Sequence, residues 1–96
     1  MPKHFYQPKA DRIEHEPYMA ARYIAMYSKR LERQGKGLLL RSAVRCALET
    51  IPKEYRKGVY ENLTENKPFP LDASEVTYRR YRSKFIRSVA EQLELV

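Results

Sequence analysis

The longest helical pattern in this chain runs over residues 73–94, and it constrains the fold more than any other segment. Five large apolar residues recur there at spacings of three and four: Tyr78, Tyr81, Phe85, Val89 and Leu93. At 100° per residue they fall within about 120° of one another, the width of a usual buried helix face. The segment predicts an amphipathic helix, and Asp72, with Glu75 three residues later, is predicted to cap it.

Three earlier segments show the same helical period. The first begins near Pro17, whose missing N–H suits a first helical turn. Its predicted buried face consists of Ala20, Ile24, Tyr27 and Leu31. Gly35 and Gly37 mark a turn, after which a second helix is predicted to reach Ile51. A third helix is predicted over roughly residues 52–65, with an interior glycine that disfavours it.

No segment alternates with the period of a β-strand. We therefore predict an all-α fold, a small four-helix bundle. The sequence leaves open whether the bundle contains a helix-turn-helix motif. Residues 1–16 have no clear period and are predicted to form a flexible N-terminal arm. Residues 17–96 are predicted to form a single helical domain, since 96 residues supply one core.

The charge of the chain favours a polyanionic partner. Nineteen Lys and Arg residues against twelve Asp and Glu residues give a formal net charge of +7, with a pI near 9.7. An excess of this size on a small chain is typical of proteins that bind nucleic acid. The alternative is a soluble surface that happens to be basic.

The cations of the last predicted helix lie mainly on one side. Arg80, Lys84 and Arg87 fall opposite its apolar face and near one another. We expect this face to contact the phosphate backbone of a nucleic acid. A solvated helix face is the alternative, although such faces usually contain more acidic residues than this one, where Glu91 is the only nearby acid.

Arg82 does not fit that division, because its angle places it among the apolar residues. An unpaired buried charge is costly. Either Arg82 extends past Tyr78 to a partner on another helix, or the first turns of the helix project beyond the core. We favour the second option, which exposes Tyr78, Arg79 and Arg82 together at a helix N-terminus, where backbone N–H groups also bind phosphate.

A second basic zone precedes the first along the chain. Arg22, Lys29 and Arg33 share a face of the first helix, and Arg41 and Arg45 share a flank of the second. If the two zones lie on one side of the bundle, they form a patch wide enough for a nucleic acid. The sequence does not decide whether they do.

Catalytic and metal-binding patterns are absent from the sequence. His4 and His15 are distant from the only cysteine, Cys46, so no metal-ligand cluster is predicted. The chain has no Ser–His–acid arrangement and no Gly-rich phosphate loop. We therefore expect neither an enzyme nor a cofactor. No apolar run approaches the roughly 20 residues of a membrane span, and we expect a cytoplasmic protein without a membrane partner.

Two segments resemble known transcription regulators. Residues 47–56 (ALETIPKEYR) resemble the opening of sigma-factor region-four helix-turn-helix domains. Residues 74–85 (SEVTYRRYRSKF) are similar to the recognition helix of phage late-gene activators of the RinA/ArpU kind. Together the resemblance covers residues 47–94. It implies DNA-contacting roles for the matching polar and basic positions, Thr77, Arg79, Arg80 and Lys84.

The chain departs from that family between Leu63 and Ser74. The family has an additional positioning helix there, whereas Pro68 and Pro70 leave room only for a loop. Either the third helix takes the positioning role, or this is a different basic helical protein.

Our leading hypothesis is a small DNA-binding regulator encoded by a phage or mobile element. The last helix would be the main reader of duplex DNA, and the cations of the first two helices would contact its backbone. One alternative is an adaptor or inhibitor that binds a host or phage protein. Another is RNA binding by shape and charge. Whether the chain forms a homodimer is open.

Overall fold

Four helices follow one another in the computed structural model, which describes residues 12–96. They are α1 (His15–Arg33), α2 (Leu38–Leu48), α3 (Lys53–Glu65) and α4 (Glu75–Gln92). No strand occurs in these residues, so the prediction of a small all-α bundle is confirmed. None of their helices has both the length and the apolar composition that crossing a bilayer requires.

The first helix begins slightly before its predicted start. Because α1 begins at His15, the last two residues of the predicted arm belong to the helix. Residues 12–14 precede it without regular structure. The remainder of the predicted arm, residues 1–11, lies outside the described part of the chain.

Two glycines make the turn between α1 and α2. Gly35 and Gly37 have φ angles of 64° and 67°, in the left-handed region that glycine adopts at little cost. A Cβ atom at Gly37 would lie 2.9 Å from Cδ1 of Leu31. The predicted turn is confirmed, and its second glycine is required for both backbone conformation and space.

The cap of α4 differs from the predicted one. Ser74 is the N-cap residue, and its Oγ accepts a hydrogen bond from the backbone N–H of Thr77 at 3.1 Å. The prediction that Asp72 caps the helix is wrong. The Asp72 carboxylate lies two residues too early, and it instead accepts a hydrogen bond from the Tyr78 hydroxyl at 2.7 Å.

The core is built around α4, which packs against each of the other three helices. Phe85 and Val89, two residues of its predicted apolar face, are fully buried, and Ile86 joins them. The largest fully buried side chains of the described residues are Tyr18, Ile51, Val59, Tyr78, Phe85, Ile86 and Val89. The apolar face predicted for α4 is therefore the face that packs in the core.

The interior glycine of α3 is explained by its neighbours. Gly58 is buried, and a Cβ atom there would lie 2.7 Å from Cε1 of Tyr78 and 2.8 Å from Cδ of Pro70. Glycine lowers helix propensity by about 1 kcal/mol relative to alanine. At this position the missing side chain lets α4 and the preceding loop approach α3 closely, so the helix forms despite its glycine.

The predicted buried face of α1 is wrong by about one residue of rotation. The buried residues are Tyr18, Ala21, Ala25 and Ser28, most of them small. Ala20 and Tyr27, which were predicted to be buried, are exposed, and Ile24 and Leu31 are half-buried. Ala21 and Ala25 are small enough to let α1 approach its neighbours closely, and several larger apolar side chains, such as Tyr23 and Tyr27, are turned outward.

We expect Phe85→Ala to lower the free energy of unfolding by about 3–5 kcal/mol, because it opens a cavity at the centre of the core. Leu39→Ala is the matched control, since Leu39 is 82% exposed and its truncation should change stability by less than about 0.5 kcal/mol. Urea unfolding followed by circular dichroism measures both. Equal stabilities for the two variants would contradict the central position of α4.

Candidate nucleic-acid interface

The outer face of α4 carries a row of cations, which we call the α4 strip: Arg80, Lys84 and Arg87. Arg80 and Lys84 are exposed, and Arg87 is half-buried. Their spacing of four and three residues places them on one face of the helix. Arg87 forms a loose ion pair with Glu91, at 3.8 Å. Among residues 12–96, no ion pair includes Arg80 or Lys84.

Two further predicted contact residues lie at the start of α4. Arg79 is exposed and forms an ion pair with Glu75, with 3.0 Å between Nη2 and Oε1. Thr77 is half-buried, and its hydroxyl lies 2.8 Å from that of Ser74, within the cap. Arg79 can therefore contact a ligand after exchanging one exposed partner, whereas Thr77 mainly stabilises the helix start.

Tyr78 is not at the surface. Its side chain is 1% exposed, and its ring stacks on Phe69 with 5.1 Å between centroids. It also meets the Tyr55 ring edge-on at 5.3 Å. Burial, together with the hydrogen bond to Asp72, raises the pKa of Tyr78 to about 12. The prediction that the first turns of α4 project beyond the core is therefore wrong.

Arg82 is held within the bundle instead of being offered to a ligand. Its Nη1 donates a hydrogen bond to Oδ1 of Asn62 at 2.8 Å, and its guanidinium lies over the Phe69 ring, 5.4 Å from the centroid. Burial lowers its pKa, and the nearby charge of Arg22 lowers it further. Arg82 is thus a half-buried structural cation, the option that we favoured less from the sequence.

The structure distributes the second basic zone over separate places. Lys29 pairs with Glu65 at 2.6 Å, and Lys29 and Arg33 line a groove on the outer side of α1. Arg22 is half-buried close to Arg82.

The two cations of α2 lie at another cleft. Arg41 and Arg45 line a small depression together with Glu32 of α1 and Tyr60 of α3. Nε of Arg41 donates a hydrogen bond to the backbone oxygen of Lys36 at 2.9 Å. No residue of α4 lines this depression or the groove on α1. These two linings do not join the second zone to the α4 strip, and the joint patch stays a prediction.

Sequence reasoning missed the residues that hold Tyr78 and Arg82 inside. Asn62 and Phe69 are the contacts of Arg82, and Phe69 and Asp72 are contacts of Tyr78. One signal was present. Phe69 stands between two prolines and is the only aromatic residue of the loop 66–74, and burying such a side chain is favourable.

The described residues contain no group of three or more His, Cys, Asp or Glu side chains placed to hold a metal ion. No protein-family model matches the chain, and neither curated proteins nor solved structures gave a match.

Arg82→Ala should lower the free energy of unfolding by about 1–3 kcal/mol, because it leaves the half-buried Asn62 oxygen without its charged donor. Arg80→Ala, an exposed position on the same helix, is the control and should leave stability nearly unchanged. Urea unfolding gives both values. If Arg82→Ala is as stable as the parent, the contacts of Arg82 with Asn62 and Phe69 do not stabilise the fold.

The raised pKa of Tyr78 predicts a loss of stability in alkali. Above about pH 10 an unfolded tyrosine ionises, whereas the folded Tyr78 keeps its proton up to about pH 12. The stability that depends on this proton is therefore present below about pH 10 and is lost as the pH rises through the folded pKa. Tyr78→Phe should be less stable than the parent at pH 8, and the difference should shrink by pH 11. Denaturant unfolding at both pH values tests this, and a constant difference would contradict it.

Proposed function

We propose that this protein is a small regulatory protein that binds duplex DNA through the α4 strip and Arg79. The main support for the proposal comes from the exposure and the ion-pair status of Arg80 and Lys84. Both are exposed, on a helix whose opposite face forms the core, and neither takes part in an ion pair within residues 12–96.

A rigid helix is a suitable support for phosphate contacts. Side chains four residues apart on a helix have their Cβ atoms about 5–6 Å apart, so successive cations can contact neighbouring phosphates. Arg80 offers a planar fork of donors, and Lys84 offers a compact charge. Because α4 is fixed by its buried face, little helix order has to be gained on binding.

Arg79 and Arg87, the two ion-paired cations of this surface, can exchange their carboxylate partners for phosphate at a small cost in free energy. Arg79 with Glu75 and Arg87 with Glu91 are solvent-accessible pairs. Pairs of this kind stabilise a protein by about 0–1 kcal/mol, less than a charge-assisted contact with phosphate. Glu75 and Glu91 also bound the surface, because they lie sixteen residues apart on α4, about 24 Å along its axis, and each repels phosphate at its end.

The burial of Tyr78 and Arg82 limits the number of side chains on this surface that can contact DNA bases. With Thr77 engaged in the helix cap, few side chains are left for base edges. The connection between α3 and α4 comprises residues 66–74 and is longer than the turn of about 3–4 residues in helix-turn-helix motifs. We therefore propose mainly backbone contacts. Transcription regulation of the phage late-gene kind rests on the resemblance over residues 47–94.

Replacing Arg80, Lys84 and Arg87 together by Gln should weaken binding to random duplex DNA. Each lost phosphate contact should reduce the slope of log affinity against log salt by about 0.9. Gel shifts and fluorescence anisotropy over a range of salt concentrations measure both effects. Circular dichroism should show an unchanged fold, because all three side chains lie outside the core.

The matched control replaces Lys53, Lys57 and Lys67 by Gln. These lysines are exposed on α3 and just after it, so the control removes the same number of positive charges from another surface. DNA binding that falls equally in both variants, or in neither, would reduce the α4 strip to a solvated face. Parallel titrations with duplex RNA and single-stranded DNA test the partner class, and tighter binding to either would overturn the choice of duplex DNA.

A further inference from the structure

The outward face of α1 is apolar and largely exposed, although the Arg30 guanidinium lies over the Tyr27 ring, 5.7 Å from its centroid. Tyr23 is 59% exposed, Tyr27 is 46% exposed and Met26 is 39% exposed. With Ile24 and Leu31 they form one wall of an open groove of about 610 Å³. Contiguous exposed apolar residues of this kind mark interaction sites more often than isolated ones do.

The dimensions of the groove suit a helix. The wall from Tyr23 to Leu31 covers nine residues of α1, about 12 Å along the axis or slightly more than two turns. Leu40 of α2 and Thr64 of α3 complete its lining. A partner helix that inserts large apolar residues at spacings of three, four and seven would fill such a groove.

The rim of the groove is cationic. Lys29, Arg30 and Arg33 line it, together with one carboxylate, Glu65. Glu65 is already compensated, because it lies 2.6 Å from Lys29 and 3.7 Å from Lys67. The hydrogen bond from Lys29 lowers its pKa, so the carboxylate stays ionised and paired. The surplus charge at the rim comes from the two arginines.

We propose that this groove binds an acidic amphipathic helix of another protein. Two or three apolar side chains of that helix would lie against Tyr23, Met26 and Tyr27, and its flanking Asp or Glu residues would face Arg30 and Arg33. Charge complementarity selects this occupant. A second copy of the chain, docked groove to groove, would bring one cationic rim against another. Residues 1–11 carry Lys3 and Lys9 against one acid, Asp11, so the same rim repels them on balance.

The groove and the surface proposed for DNA share no residue, because no α4 residue lines the groove. The inference therefore goes beyond the proposed function and does not depend on it. Each can fail without the other.

The probe is a fluorescein-labelled helical peptide of about 18 residues, with Leu and Phe anchors at helical spacing and Glu on both flanks. A second peptide has Lys in place of every Glu. Fluorescence anisotropy with the full chain should show the acidic peptide binding at least about tenfold more tightly than the basic one. Equal affinities, or no binding of the acidic peptide, would overturn the proposal.

Two variants assign the binding to the groove. Met26→Gln combined with Tyr27→Gln changes exposed residues without changing charge, and it should weaken the acidic peptide about tenfold. Arg33→Glu should weaken the acidic peptide and strengthen the basic one. The Arg80, Lys84 and Arg87→Gln variant is the charge control and should retain peptide binding. A loss in this control equal to that in the groove variants would show non-specific attraction and overturn the proposal.

Two further experiments test the other possible occupants of the groove, which are a second copy of the chain and residues 1–11. Sedimentation of the free protein should show a monomer. A dimer that the Met26 and Tyr27 variant dissociates would assign the groove to a second copy. Phe5→Ser combined with Tyr6→Ser, in the full chain, should leave peptide affinity unchanged. A gain of about tenfold would mean that the arm competes for the groove. Either result overturns the proposal.

Discussion

The burial of Tyr78 determines which cations this protein can present to a partner. Its ring is enclosed by Phe69 and Tyr55, and it fits against α3 because Gly58 has no side chain. Its hydroxyl binds Asp72, so the loop before α4 is fixed over the first turns of that helix. Once this ring faces inward, Arg82, one helical turn later, must face inward as well.

The outward cations follow from the same rotation of α4. Arg80 and Lys84 lie opposite the centre of the apolar face of α4, and the helix presents them to solvent because that face is held by the core. Helical periodicity was sufficient for this part of the prediction, since α4 has one continuous apolar face. The four helices and the turn at Gly37 were predictable for the same reason: their signals lie within short segments of the chain.

Periodicity failed where the decisive contact is distant in sequence or where a helix has two apolar faces. The hydrogen bond of Arg82 is made to Asn62, twenty residues earlier, and an angle on one helix cannot reveal it. On α1, the residues with larger side chains suggested the core face, but the bundle packs through Ala21 and Ala25. Close helix packing favours small residues, and the period alone does not distinguish a covered face from an uncovered one.

The two proposed surfaces favour different partners because they differ in charge, apolar area and shape. The α4 strip offers positive charge on a convex helix, which any regular row of phosphates can match. The groove on α1 offers apolar area as well as charge, so a polyanion without apolar groups would leave its walls hydrated. α1 packs on α4 through its small residues, and the groove lies on its outer side. The groove is lined by residues of α1, α2 and α3, whereas the strip belongs to α4, so the two proposals rest on different helices.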